Sequence, residues 1–106
     1  MVFIETTIFT TAVKRLIDDE EYRALQWLLV RNPEKGVLIP GAAGLRKIRW
    51  VSRRKQRGRR GGLRIIYYIQ SNDNLYMMFL YDKTEQGDLT RSQLKQLREY
   101  VKRGVL

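Results

Sequence analysis

The sequence contains no histidine and no cysteine among its 106 residues. Without cysteine there is no disulfide, no thiolate metal site and no cysteine nucleophile. Without histidine, the commonest general base and metal ligand is missing as well. Any catalysis must therefore use lysine, arginine, tyrosine, carboxylates or hydroxyl groups, and we expect neither a metal site nor a cofactor.

Long apolar runs are also missing. No apolar stretch approaches the roughly 20 residues that span a bilayer. The first 15 residues, MVFIETTIFTTAVKR, have no basic region ahead of an apolar run and no small-residue cleavage site, which argues against a secretory signal. The hydrophobic content of 43% is enough for one packed core. We therefore expect a single domain over residues 1–106, located in the cytoplasm and without a membrane partner.

Positive charge is abundant, and it is concentrated. The formal net charge is +10, yet residues 1–45 have a balance of −1 and residues 65–106 a balance of +1. Residues 46–64 hold ten lysines and arginines and no acidic residue. A focused basic patch favours a polyanionic partner, namely RNA or nucleic acid generally. A solvated, flexible charged loop is the plainer interpretation, and an anionic membrane surface is disfavoured because this window has no amphipathic apolar face.

The apolar pattern predicts an α+β fold with the element order β-α-α-β-β-β-α. Its small antiparallel sheet would carry the helices packed on one face. The first strand is predicted over Val2 to Phe9, followed by a short helix capped by Thr10 or Thr11. A second helix is predicted to begin at Asp18, with Glu21 at capping-box spacing. The other predicted segments are a loop over 33–44, strands over 45–51, 63–70 and 75–83, a polar connection over 52–62, a turn at 71–74, and a helix from about Leu89 with Thr90 and Gln93 at capping-box spacing and a stop at Gly104.

Strand alternation assigns side chains to faces within each of the last three strands. The three predicted sets are Lys47 and Arg49, then Arg64, Ile66 and Tyr68, then Leu75, Met77, Phe79, Tyr81 and Lys83. If these faces coincide, cations from all three strands and Tyr81 converge on a sheet surface that helices leave open. Alternation alone leaves the register between the strands undetermined. Trp50, Tyr67 and Tyr76 are interpreted as core residues.

Familiar catalytic motifs are absent: there is no GxGxxG or Walker A loop, no paired-carboxylate signature and no metal-ligand cluster. Asp82, Glu85 and Asp88 are the nearest approach to a metal site. Helix capping by Asp88 and surface exposure of Asp82 are the favoured interpretations.

Several motifs occur in a recognisable order: DDEEYRALQ, NPEKG, GLRKIRW, RGGLRIIYY and LYDKTEQGDL, with a helix after the last. Together they resemble the RelE/HigB superfamily of bacterial toxins, and in particular its HigB-like branch. The resemblance spans nearly the whole chain. It implies a RelE-like fold and the toxin of a type II toxin-antitoxin system, a metal-independent, ribosome-dependent endoribonuclease that cleaves mRNA in the ribosomal A site. The implied partners are the ribosome, mRNA and a cognate antitoxin with a helix-turn-helix, which alone would contact operator DNA.

The resemblance also implies site residues. The candidate catalytic residues are Lys47, Arg49, Arg64, Lys83 and Glu85. The candidate RNA-binding residues come instead from the basic window and the aromatic residues near it; they are Arg46, Arg53, Arg54, Lys55, Arg57, Arg59, Arg60, Tyr68 and Tyr81. The chain departs from the family at Thr84, where some members have a catalytic arginine, and at Thr90, near which some have a tyrosine or histidine. The general acid and base are therefore open among Glu85, Lys47 and Lys83.

Two other functions stay open. One is a non-catalytic nucleic-acid-binding module, either a degenerate toxin or a regulator. The other is a structural protein whose basic patch docks an acidic partner.

Overall fold

The structure, a computed structural model, describes residues 1–51 and 62–104. In chain order the elements are β1 (Val2–Glu5), α1 (Thr7–Leu16), α2 (Asp19–Arg31), a 3-10 turn (Pro33–Lys35), β2 (Val37–Leu38), β3 (Arg46–Trp50), β4 (Leu63–Ile69), β5 (Asn74–Asp82) and α3 (Arg91–Arg103). The α+β class and the predicted order are confirmed. The segment predicted as a loop over 33–44 holds, in addition, the 3-10 turn and the two-residue strand β2. The connection predicted over 52–62 lies, except for its last residue, outside the described residues.

The first helix begins four or five residues earlier than predicted, and β1 ends at Glu5 and not at Phe9. The Thr6 side chain caps α1 by accepting the Phe9 backbone N–H at 3.1 Å, and its hydroxyl donates to the Met78 carbonyl at 2.8 Å. Thr10 and Thr11, the predicted caps, instead donate to the carbonyls one turn earlier, at 3.2 Å each. The cap at Thr6 is preferred because it satisfies an orphan N–H of the helix and ties the helix to the sheet at the same time.

The ends of the other helices follow their sequence signals. Asp18 caps α2 by accepting the Glu21 N–H at 2.8 Å. Thr90 and Gln93 form a reciprocal capping box at the start of α3, and Gly104 ends that helix in the left-handed conformation.

The five strands form one mixed sheet in the order β1-β5-β4-β3-β2. The strands β3, β4 and β5 make the predicted antiparallel meander, while β1 pairs with β5 in parallel. The β4–β5 ladder has one irregularity: Ile66 and Tyr67 are paired with Phe79 and Met77, so Met78 is an extra residue on β5. This is a β-bulge, and it changes which face the following residues of β5 occupy.

The two faces of the sheet carry separate apolar clusters. Strand residues including Ile48, Ile65 and Tyr67 face α1 and α2, which contribute Phe9 and Leu25 among others, all of them buried. The predicted packing of helices over one face describes α1 and α2.

The opposite face holds the second cluster. Leu97 of α3 packs there with Ile66, Met78 and Tyr81 of the strands and with Leu45 from the segment before β3. Within residues 1–51 and 62–104, no helix has the length and apolar character needed to cross a membrane.

Candidate functional site

Three residues form a row across the middle strands β3, β4 and β5, near one end of these strands and on the α3 side. Arg49 of β3 is paired with Arg64 of β4, and Arg64 is paired with Tyr81 of β5. Arg49 is exposed, Arg64 is half-buried and Tyr81 is buried. Lys47 lies two residues before Arg49 on β3, and therefore on the same face. The structure thus brings together four of the positions that were expected to converge, although Arg49 also lines a cleft with Glu20 and Glu21 of α2.

The bulge at Met78 is what turns Tyr81 towards the arginines. Without it, strict alternation would place Tyr81 on the face of Leu75 and Met77, which are buried under α1 and α2. The predicted common face for Leu75, Met77, Phe79 and Tyr81 is therefore wrong. One extra residue moves Phe79 and Tyr81 to the opposite face, as β-bulges beside functional sites commonly do.

Asp88 connects this row to Lys47. Its Oδ1 atom accepts the backbone N–H of Leu89 at 2.8 Å and the Tyr81 hydroxyl at 3.4 Å. The Lys47 Nζ atom lies 3.6 Å from the same oxygen. The interpretation of Asp88 as a helix cap is wrong, because Thr90 occupies that position. Sequence reasoning considered Asp88 only as a helix cap or a metal ligand, not as a partner of Lys47 and Tyr81, since a carboxylate six residues past a strand has no signature of its own.

The surroundings of Asp88 and Tyr81 shift the pKa values of the two groups in opposite directions. The hydrogen bond from Leu89 and the nearby Lys47 ammonium hold the pKa of Asp88 below its usual range. Burial and the Asp88 carboxylate raise the pKa of Tyr81 to about 12, against the opposing effect of Arg64. At neutral pH, Asp88 is therefore an ionised acceptor and Tyr81 a protonated donor.

Lys83 and Glu85 lie in the turn after β5, outside the paired positions of the row. Lys83 is exposed in the turn after β5, where its backbone N–H donates to the Gly62 carbonyl at 3.0 Å. Glu85 binds the Arg15 guanidinium of α1 through both carboxylate oxygens, at 3.0 and 3.2 Å. Glu85 therefore makes its ion pair with α1. Asp82, expected on the surface, is 1% exposed and accepts hydrogen bonds from Thr84.

Arg46 is hydrogen-bonded to backbone carbonyls of the segment before β2. Its Nη1 atom donates to the carbonyls of Gly36 at 2.8 Å and Glu34 at 3.3 Å, so the guanidinium holds the segment that contains the 3-10 turn. Tyr67 fastens the same segment from beneath: its hydroxyl accepts the Gly36 N–H at 2.8 Å and donates to the Pro33 carbonyl at 2.6 Å. Arg46 and Tyr67 are paired across β3 and β4 on the face away from the arginine row.

The candidate RNA-binding aromatics are packed to different degrees. Tyr68 is half-buried, with its ring 3.1 Å from where a Cβ atom at Gly44 would stand. Tyr81 is 4% exposed, and its ring lies 5.9 Å from that of Phe79. Neither ring is a freely exposed stacking surface. The six basic residues predicted to bind RNA between β3 and β4 lie outside the described residues; they are Arg53, Arg54, Lys55, Arg57, Arg59 and Arg60.

The arrangement offers cationic donors suited to an anion such as a phosphate diester, beside a carboxylate that could accept a proton. Arg49 and Arg64 occupy paired positions on β3 and β4, and guanidinium groups give phosphate oxygens charge-assisted hydrogen bonds. Asp88, Lys47 and Tyr81 place an acceptor and two donors at one edge of the row. In the described part of the chain, no three acidic side chains are grouped so as to hold a metal ion. No model of a known protein family matches this chain.

Proposed function

We propose that this protein is a ribosome-dependent endoribonuclease that cleaves translated mRNA in the A site and so inhibits translation. The proposal makes it the toxin of a type II toxin-antitoxin system. The observation that carries it is the cross-strand row of Arg49, Arg64 and Tyr81, with Asp88 and Lys47 at its edge. The resemblance to RelE/HigB toxins and the ten basic residues between positions 46 and 64 support the same proposal.

The proposed chemistry is cleavage by the neighbouring 2′-hydroxyl. Its oxygen attacks phosphorus, the bond to the 5′ oxygen breaks, and the products are a 2′,3′-cyclic phosphate and a 5′-hydroxyl. Asp88 is the candidate to accept the 2′ proton, and the Lys47 ammonium is the candidate to protonate the leaving 5′ oxygen. Arg49 and Arg64 offset the charge that builds on the phosphorane oxygens. Tyr81 orients Asp88 through its hydrogen bond.

The basic residues between β3 and β4 contribute affinity and steering towards ribosomal RNA under this proposal, because clustered cations accelerate association with a polyanion. The substrate implies a cytoplasmic location. A cognate antitoxin, through which alone operator DNA would be contacted, is part of the proposal. A gene for a small helix-turn-helix protein directly beside this one would support it.

Mapping of mRNA 5′ ends on translating ribosomes tests the function. Arg64→Ala is expected to lower the cleavage rate by about 10²- to 10³-fold, because it removes a donor to the transition state. Arg23→Ala is the matched control, since it removes the same charge from an exposed position on α2, the helix on the other face. Cleavage by the unaltered protein and by Arg23→Ala, with loss in Arg64→Ala, supports the proposal. Equal cleavage by all three proteins contradicts the role of Arg64.

A non-catalytic nucleic-acid-binding module is the second candidate. The observation that favours it is the presence of Thr84 and Thr90 at positions where the resemblance leads one to expect an arginine and a tyrosine or histidine. This alternative predicts salt-dependent RNA binding without any cut on ribosomes. The same mapping experiment, combined with a binding titration at two salt concentrations, distinguishes the two functions.

A further inference from the structure

The segment that joins β5 to α3, residues 82–90, is an ordered connector. At its start, the buried Asp82 carboxylate accepts the Thr84 backbone N–H at 2.9 Å and the Thr84 hydroxyl at 2.8 Å. The Asp82 carbonyl accepts the backbone N–H groups of Glu85 at 2.9 Å and Gln86 at 3.1 Å. These bonds make one compact turn directly after the strand that carries Tyr81.

The far end of the connector is bonded to α3. The Gln86 side-chain amide donates to the Asp88 carbonyl and to the Gln93 side chain, both at 2.9 Å. The same Gln93 oxygen accepts the Thr90 N–H in the capping box. Asp88, which contacts Lys47 and Tyr81, therefore lies between two hydrogen-bonded structures: the turn after β5 and the N-terminal cap of α3.

The middle of the connector is bonded to α1 through Glu85. Its two contacts with Arg15 are 3.0 and 3.2 Å long and join positions 70 residues apart in the chain. Both side chains line a cleft of about 370 Å³ whose walls are otherwise formed by α1, β5 and Gln86. The pair therefore joins the two sides of this cleft. A bidentate arginine–carboxylate pair is the kind of exposed ion pair that stabilises measurably.

We propose that Glu85 is a positioning residue, which with Arg15 holds the connector so that Asp88 stays within reach of Lys47 and Tyr81. For its effect on cleavage, this inference rests on the proposed function. The contacts of Asp88 with Tyr81 and Lys47 are 3.4 and 3.6 Å long, so a small displacement of the connector breaks both. Displacements of about 1 Å are enough to lower the rates of positioned reactions strongly.

Charge reversal across the pair provides the test. Arg15→Glu, Glu85→Arg and the double variant that carries both are compared with the unaltered protein. Two quantities are measured: amide hydrogen exchange over residues 83–90, and the rate of mRNA cleavage on ribosomes. Each single variant is expected to speed exchange by about two- to fivefold and to lower cleavage. The double variant is expected to restore both. Lys14→Glu is the matched control on α1, since it makes the charge change of Arg15→Glu without removing the partner of Glu85.

The outcomes separate positioning from chemistry. Restored exchange together with restored cleavage in the double variant supports the proposal. Restored exchange with cleavage still lost overturns it, because Glu85 would then be needed at the reacting atoms. Unchanged exchange in both single variants also overturns it. If the unaltered protein cuts no mRNA, the proposed function fails, while the exchange measurements still decide whether the pair holds the connector.

Discussion

The two faces of the sheet present adjacent rows with opposite chemistry. On the face under α1 and α2, Ile48, Ile65 and Leu80 are paired across β3, β4 and β5 and are almost fully buried. One residue further along β3 and β5, and one residue back along β4, the opposite face carries the row of Arg49, Arg64 and Tyr81. Burial of the apolar row lowers the free energy of the folded state, whereas the opposite row keeps the charges of its arginines at the surface. The same backbone pairing therefore provides both the rigidity and the proposed site.

The largest expected effect on stability comes from comparing alanine substitutions at two neighbouring residues of β4. Ile65→Ala removes a fully buried side chain and is expected to lower the free energy of unfolding by about 2–5 kcal/mol. Arg64→Ala, one residue away on the opposite face, is expected to change it by less than about 1 kcal/mol. Urea unfolding at neutral pH, followed by circular dichroism, measures both. Equal destabilisation by the two variants would show that the arginine row belongs to the core, and the contrast between the faces would be lost.

The arginine row was partly predictable from sequence. Alternation within LRKIRWV and LRIIYYIQ places Lys47 with Arg49, and Arg64 with Ile66, whatever the register. The short turn at 71–74 determines that β4 and β5 pair as a hairpin. Local patterns of this kind predict the element order and the helix caps at Asp18 and Thr90, because these features depend on residues close together in the chain.

The remainder depended on contacts that no local pattern encodes. The bulge at Met78 lies inside a continuous apolar run, LYMMFLY, where an extra residue leaves no gap in the pattern. The partner of Glu85 is 70 residues away on α1, and the contact between Asp88 and Lys47 depends on where α3 packs. The alternation rule therefore failed for Tyr81, and the proposed role of Glu85 moved from chemistry to positioning.

Tyr67 places a buried hydroxyl on the apolar face and gives the second largest effect. Its ring is fully buried, and its hydroxyl bonds both Gly36 and Pro33. Tyr67→Phe leaves the Gly36 N–H without that acceptor and is expected to destabilise the fold by about 1–3 kcal/mol. Tyr68→Phe on the other face is the control, with an expected change of less than about 0.5 kcal/mol. Urea unfolding measures both, and similar losses for the two variants would mean that the bonds of the Tyr67 hydroxyl to Gly36 and Pro33 add no more stability than the Tyr68 hydroxyl does.

The cap of α3 ranks third. Thr90 accepts the Gln93 N–H at 3.0 Å, and its hydroxyl is lost in Thr90→Ala, which is expected to cost about 1 kcal/mol in thermal unfolding. Thr11→Ala makes the same substitution at an exposed position inside α1 and is expected to be neutral or slightly stabilising, because alanine is the better residue in a helix interior. A loss at Thr11 as large as that at Thr90 would remove the distinction between cap and interior.

The smallest expected effect concerns the contact between Tyr81 and Asp88. With a pKa of about 12, Tyr81 keeps its proton in the folded state after the unfolded chain, with an ordinary tyrosine pKa near 10, has begun to lose it. Its contribution to stability is therefore complete below about pH 10 and is lost as the pH rises from there towards 12. Asp88→Asn removes a negative charge and is expected to lower the pKa of Tyr81, modestly, since the Asp88 side chain is 74% exposed and water screens it. Absorbance titration near 295 nm, with Tyr81→Phe to identify the signal, measures the change; an unaltered midpoint in Asp88→Asn would mean that burial alone sets this pKa and that Asp88 is not coupled to the row.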